Sequence, residues 1–229
     1  MRPIFLIAFI PAILAVLILT LFLKEKKSPP ARWDPAAAVR SGFPGRDWKL
    51  NIFSPKFKKF IFVSCIFAVG NSSDAFLIIR SKDIGLSLSL VILAYVVYNI
   101  SYSALSFPFG ILSDKIDRKW VIVGGFTVFA FVYFGFGLYI SRFTVWILFA
   151  VYGFYMAMTD GVSKAYISDM VGQGSRATAI GLYYCVIGIL SFSASLIAGF
   201  LWTCVSKSAP FIYGAVMASL SAVLCVFLL

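Results

Sequence analysis

The chain has 229 residues, 61% of them hydrophobic and only 13% charged, with a mean hydropathy of +0.96. Soluble domains carry about 25% charged residues, so this composition leaves too little polar surface to cover a water-facing globule. The net charge of +11 sits at the ends of apolar runs rather than on one patch, which argues against nucleic acid and for anionic lipid headgroups as the partner.

Apolar runs of roughly 20 residues recur along the chain, the length that crosses a bilayer core about 30 Å thick at 1.5 Å per residue. Backbone groups in lipid need internal partners, so each run is read as a helix. The pattern predicts an all-α membrane protein with seven spans, at 3–23, 60–79, 86–112, 120–140, 144–166, 177–202 and 210–229. The first run is longer than the apolar core of a secretory signal. Lys24-Glu25-Lys26-Lys27 follows it where small cleavage-site residues would lie, so it is read as an anchor.

Between the first two spans lies a basic loop, 24–59, holding ten Lys or Arg against three acids. Its later part, Trp48-Lys49-Leu50-Asn51-Ile52-Phe53, suits either an interfacial stretch or a solvated linker. On the same side fall Lys115, Arg118, Lys119 and Arg176. The opposite side has only Arg2, Arg80, Lys82, Arg142 and Lys207. The positive-inside rule therefore puts the loop in the cytoplasm, the N-terminus outside and the C-terminus inside.

Within the second span, Asn71-Ser72-Ser73-Asp74 places a carboxylate well inside the bilayer, at a cost of about 2.5–3.5 kcal/mol on insertion scales. Two readings stand for Asp74: a cavity-facing carboxylate that binds a proton or solute, or a structural one bonded to Asn71, Ser72 or Ser73. The third span carries Tyr95, Tyr98, Asn99, Tyr102 and Ser106 at three- and four-residue steps. That stripe suits a cavity lining and helix packing equally well. In the fifth span Asp160 and Lys164 are four apart and share a face, so they are expected to pair. The pair either breaks and re-forms during transport or simply makes insertion tolerable.

Other chemistry is poorly supplied. The chain has no histidine, which removes His-based triads and His metal ligands, and no GxxxxGK[ST] phosphate loop. Neither metal nor cofactor is expected. The four cysteines, Cys65, Cys185, Cys204 and Cys225, sit in apolar runs without CxxC spacing and read as small hydrophobes. The chain is not expected to be an enzyme.

Between the third and fourth spans runs Gly110-Ile111-Leu112-Ser113-Asp114-Lys115-Ile116-Asp117-Arg118-Lys119. This resembles the G-x-L-[AS]-D-[RK]-x-G-R-[RK] signature of the major facilitator superfamily, with Asp117 where glycine is usual. Physically, Gly110 would let helices approach closely. Asp114 would accept from a neighbouring helix N-terminus, and Arg118 would form a two-pronged pair with a carboxylate. Asp169 is its expected partner. Gly70-Asn71-Ser72-Ser73-Asp74-Ala75-Phe76-Leu77 is similar to the seventh helix of a bacterial subgroup. The stretch from Asp160 through Lys164 and Asp169 to Arg176 and Gly181 is similar to that subgroup's tenth-to-eleventh helix junction.

The resemblance implies that the third span is the family's eighth helix. The first span is then the sixth, 24–59 the central loop, and 60–229 a six-helix C-terminal half. It further implies secondary transport of a small solute in a bacterial inner membrane, with an N-terminal half or a second copy as partner. A latch would comprise Gly110, Asp114, Lys115, Arg118, Lys119, Asp169 and Arg176. A solute or proton site would draw on Asn71, Asp74, Tyr98, Asn99, Tyr102, Asp160 and Lys164. The alternative is a membrane scaffold or regulatory subunit descended from a transporter half.

Overall fold

A computed structural model describes residues 54–138 and 141–229. The predicted first span and most of the basic loop lie outside the described residues. Seven α-helices follow in the described part: α1 (Pro55–Gly70), α2 (Ala75–Asp83), α3 (Leu88–Lys115), α4 (Arg118–Gly137), α5 (Arg142–Met170), α6 (Arg176–Cys204) and α7 (Ala209–Leu228). With α1 and α2 taken together, six segments are long and apolar enough to cross a membrane. The protein is an integral membrane protein, all-helical among the described residues.

Local sequence sets the helix starts. Ser54 caps α1 by accepting from Phe57 N at 3.3 Å, with Pro55 in the first turn, where a proline sacrifices no hydrogen bond. Ser87 and Ser141 cap α3 and α5 in the same way. Asp117 caps α4, its carboxylate accepting from Lys119 N at 3.0 Å. The departure from the family's glycine thus has a local reason: this turn starts its helix with an acidic cap. Between α2 and α3, Gly85 adopts φ +101° and its N–H returns to Lys82 O, a reversal that a side chain would strain.

Two expectations about boundaries are corrected. The basic loop was expected to run to residue 59, but Lys56, Lys58 and Lys59 already belong to α1. The second span was expected to be one helix, yet the chain unwinds at residues 71–74 and restarts at Ala75. Asn, Ser and Asp side chains compete with the helix for backbone hydrogen bonds, and three such types stand here in a row.

α5 is the hub, packing most extensively on α3 and α4; α4 also packs on α7, and α1 on α7 and α6. The α3–α5 contact tightens at Gly153. A Cβ there would lie 2.6 Å from Ser101 Cβ and 2.8 Å from both Tyr102 N and Tyr98 O. The core is aromatic, with Phe67 stacked on Phe126 at 4.2 Å and Phe129 on Tyr133 at 4.0 Å. Large apolar side chains also point outward, as with Phe107 at 75% exposed and Phe227 at 81%. In water such a surface would be a liability; in lipid it is the solvated face.

Arg80 was expected at a loop, on the sparsely charged side. It is instead buried, only 8% exposed. Its guanidinium donates to Phe136 O at 3.1 Å, Leu138 O at 3.3 Å and Ser208 Oγ at 3.1 Å, and meets Asp83 at 3.4 Å. Lys207 pairs with the same Asp83. This cation satisfies the last carbonyls of α4, where the helix dipole favours positive charge, and ties them to α2 and the start of α7.

Candidate functional site

At the break between α1 and α2 the backbone bends around Asn71, Ser72, Ser73 and Asp74. Tyr133 from α4 holds one side: its hydroxyl donates to Ser72 O at 3.2 Å and lies 3.4 Å from Ser72 Oγ. Asn71 Nδ2 donates to Tyr155 Oη at 3.3 Å. Ser73 N donates to Ser195 Oγ on α6 at 3.2 Å. The unwound segment is thus held by three different helices.

Asp74 receives two tyrosine hydroxyls, Tyr152 on Oδ1 at 2.8 Å and Tyr95 on Oδ2 at 3.2 Å. The structural reading had assigned it to Asn71, Ser72 or Ser73; its partners come from α3 and α5 instead. Among the described residues no Lys or Arg pairs with it. Asp160 lies about ten residues, hence about 15 Å, from the end of α5. It pairs with Lys164 at 2.9 Å and accepts from Tyr102 Oη at 2.9 Å and Tyr184 Oη at 3.4 Å. Lys164 also lies over the Tyr184 ring at 5.6 Å.

A cavity of about 470 Å³ joins these groups. Asn71, Asp74 and Asp160 line it, with Tyr152, Tyr155 and the serines Ser191 and Ser195 of α6. A second crevice of about 300 Å³, between α3 and α5, runs from Tyr102 and Asp160 to Gly110 and Asp114. Of the other sequence-predicted site residues, Tyr98 is buried against Tyr95 and Tyr152 at ring separations of 5.0 and 5.2 Å. Asn99 is exposed and donates back to Tyr95 O at 2.8 Å. Neither lines the cavity. Sequence reasoning missed Tyr152, Tyr155, Tyr184, Ser191 and Ser195. Tyr152 stands eight residues before Asp160 on the same helix, a spacing that offered a signal, whereas Tyr155, five before it, lies about 140° round the helix by spacing.

At the other end of the bundle, Arg118 bridges two carboxylates. Its Nη2 donates to Asp114 Oδ1 at 2.8 Å, and its Nε faces Asp169 Oδ2 at 3.3 Å. This replaces the expected two-pronged grip on one carboxylate and gives Asp114 a side-chain donor. Lys119 Nζ donates to Val226 O near the end of α7 at 2.9 Å, and Arg176 Nε to Ser168 O near the end of α5 at 3.2 Å. Lys115 is exposed. At Gly110, a Cβ would meet nothing within 4 Å, so the expected close helix approach does not occur there among the described residues.

Removing Arg118 and Asp169 singly and together, each to Ala, should reveal a coupling of about 0.5–1 kcal/mol in detergent unfolding. Additive effects would show that the contact contributes nothing. Full charge reversal should restore stability only in part, because Arg118→Asp sets a second acid beside Asp114.

A model of the Major Facilitator Superfamily matches residues 75–229. The chain is similar to an uncharacterized MFS-type transporter, MJ1317, of Methanocaldococcus jannaschii. The two are 40% identical over 213 residues, covering 90% of this chain and 51% of that protein. A shorter stretch of 46 residues is 46% identical to the inner membrane transport protein YajR of Escherichia coli, covering 20% of this chain and 10% of that protein. The chain thus spans about half the length of the first relative.

Proposed function

The chain belongs to the major facilitator superfamily, and from that premise we propose that it supplies one wall of a solute pathway in a secondary transporter. Residues 55–229 act as the C-terminal six-helix half, with 3–23 as the preceding helix and 24–54 as the connecting cytoplasmic loop. The opposite wall comes from a second six-helix unit. The observation that carries this reading is the broken helix at residues 71–74, whose Asp74 opens onto a cavity of about 470 Å³. Discontinuous membrane helices place unwound backbone and polar side chains where transporters bind their solutes. An open cavity bearing two carboxylates is costly against lipid, whereas water or a facing half satisfies it.

Asp74 is the solute or proton carboxylate, and Asp160 with Lys164 is the adjustable ion pair. The Asp114–Arg118–Asp169 bridge holds one conformation at the cytoplasmic end. The location is a bacterial inner membrane, with the basic turns inside, next to anionic headgroups, and the C-terminus inside. Transport, not catalysis or scaffolding, is the activity.

Vesicles holding this chain with a complementary half should take up a small solute saturably, and an ionophore that collapses ion gradients should abolish net accumulation. Vesicles with this chain alone should show neither. Uptake indifferent to gradients would contradict active transport. No uptake of any solute tried with both halves would favour the scaffold.

A further inference from the structure

The charges on this wall of the cavity favour one class of solute. Two carboxylates line it, Asp74 and Asp160, and among the described residues no Lys or Arg does. Asp160 is compensated by Lys164 at 2.9 Å, and that cation is further engaged over the Tyr184 ring. Asp74 meets only neutral hydroxyls. The wall therefore presents one uncompensated negative charge in a setting where charge is poorly screened.

Aromatic rings line the same cavity, among them Phe67, Tyr155, Tyr183, Tyr184 and Phe192. Ring faces carry negative potential and attract cations, most strongly where water is scarce. An ionised carboxylate offers about four acceptor positions, and the two tyrosines occupy two of them. Positions remain for an ammonium donor. An anion entering here would face Asp74 with no counter-charge except by breaking the Asp160–Lys164 pair.

We propose that this cavity binds organic cations, with Asp74 as the counter-ion and the lining rings as the apolar cage. The inference rests on the reading of the cavity as a solute site and gives that site its substrate class. The volume suits a drug-sized solute, since small-molecule pockets run from about 300 to 1,000 Å³.

The test uses two ions of like shape and opposite charge, tetraphenylphosphonium and tetraphenylborate, on the full chain in detergent. Wild type should bind tetraphenylphosphonium, and Asp74→Asn should weaken it by about tenfold or more. Ser191→Lys leaves Asp74 and its tyrosines in place but adds a cation to the wall, and should weaken binding similarly. Gel filtration and circular dichroism establish that each variant is folded, and the second variant keeps the test open if the first is not. Tetraphenylborate should not compete. Binding of the phosphonium unchanged in both variants, or displaced equally well by the borate, would overturn the proposal. Uptake confined to anionic or neutral solutes would sink this inference while leaving transport intact. Phosphonium binding by this chain, with no uptake of any solute when the complementary half is also present, would uphold it and sink transport.

Discussion

Asp74→Asn is expected to reduce saturable uptake by the assembled transporter roughly 10- to 100-fold. The reasoning starts from two hydroxyls, Tyr152 at 2.8 Å and Tyr95 at 3.2 Å, aimed at a charged acceptor. Hydrogen bonds to charged groups contribute about 1.5–3 kcal/mol each. Asparagine keeps the shape but exchanges one acceptor oxygen for a donor, so one tyrosine must turn from donor to acceptor and both hydrogen bonds lose their charged partner. It also removes the negative charge that any proton or cationic solute would bind. The measurement is initial uptake rate against solute concentration, with expression matched. Asp74→Glu should recover part of the rate because it keeps the charge, whereas a purely structural carboxylate would be harmed by the added methylene. Uptake unchanged in Asp74→Asn would remove Asp74 from the transport cycle.

The second large effect concerns stability. Gly153→Ala should lower the detergent unfolding midpoint, by an amount that reflects about 1–3 kcal/mol of overpacking. Two of the three atoms that the new Cβ would meet are backbone, Tyr102 N and Tyr98 O, both at 2.8 Å, so no flexible side chain can swing away. The α3–α5 pair would have to separate along its length, and both tyrosine donors to Asp74 stand on those helices. Gly161→Ala, two turns further along α5, is the control: nothing lies within 4 Å of its added Cβ. Alanine also has the better helix propensity. Its midpoint should hold or rise slightly. Equal losses at the two positions would mean that helix packing at Gly153 is not the cause.

What the sequence revealed was what depends on near neighbours. The six spans among the described residues followed from apolar length, and the Asp160–Lys164 pair from a four-residue step on one helix. The break at residues 71–74 was hidden because an 18- to 20-residue apolar average absorbs four polar residues without showing an interruption. Arg80 was misjudged for a related reason. A cation at the end of an apolar run looks solvated until the α4 carbonyls beneath it are seen. The tyrosines that hold Asp74 stand 21 and 78 residues away in the chain. No periodicity links them to the carboxylate; only the packing of α3 on α5, with Gly153 at its closest point, brings them to it.

The central claim is that the break at Asp74 faces water that is reached from each side of the membrane in turn. The most direct measurement is sided labelling of Ser73→Cys in a background free of Cys65, Cys185, Cys204 and Cys225, with the complementary half present. Ser73 is exposed at the cavity wall, whereas Phe131, 66% exposed on α4, serves as a lipid-facing control. Ser141→Cys and Lys119→Cys should label from outside and inside respectively, which fixes the orientation. The account predicts that an impermeant thiol reagent modifies Ser73→Cys from either face, while Phe131→Cys stays unmodified. Modification of Ser73→Cys from neither face, or from one face only under every gradient applied, would contradict it.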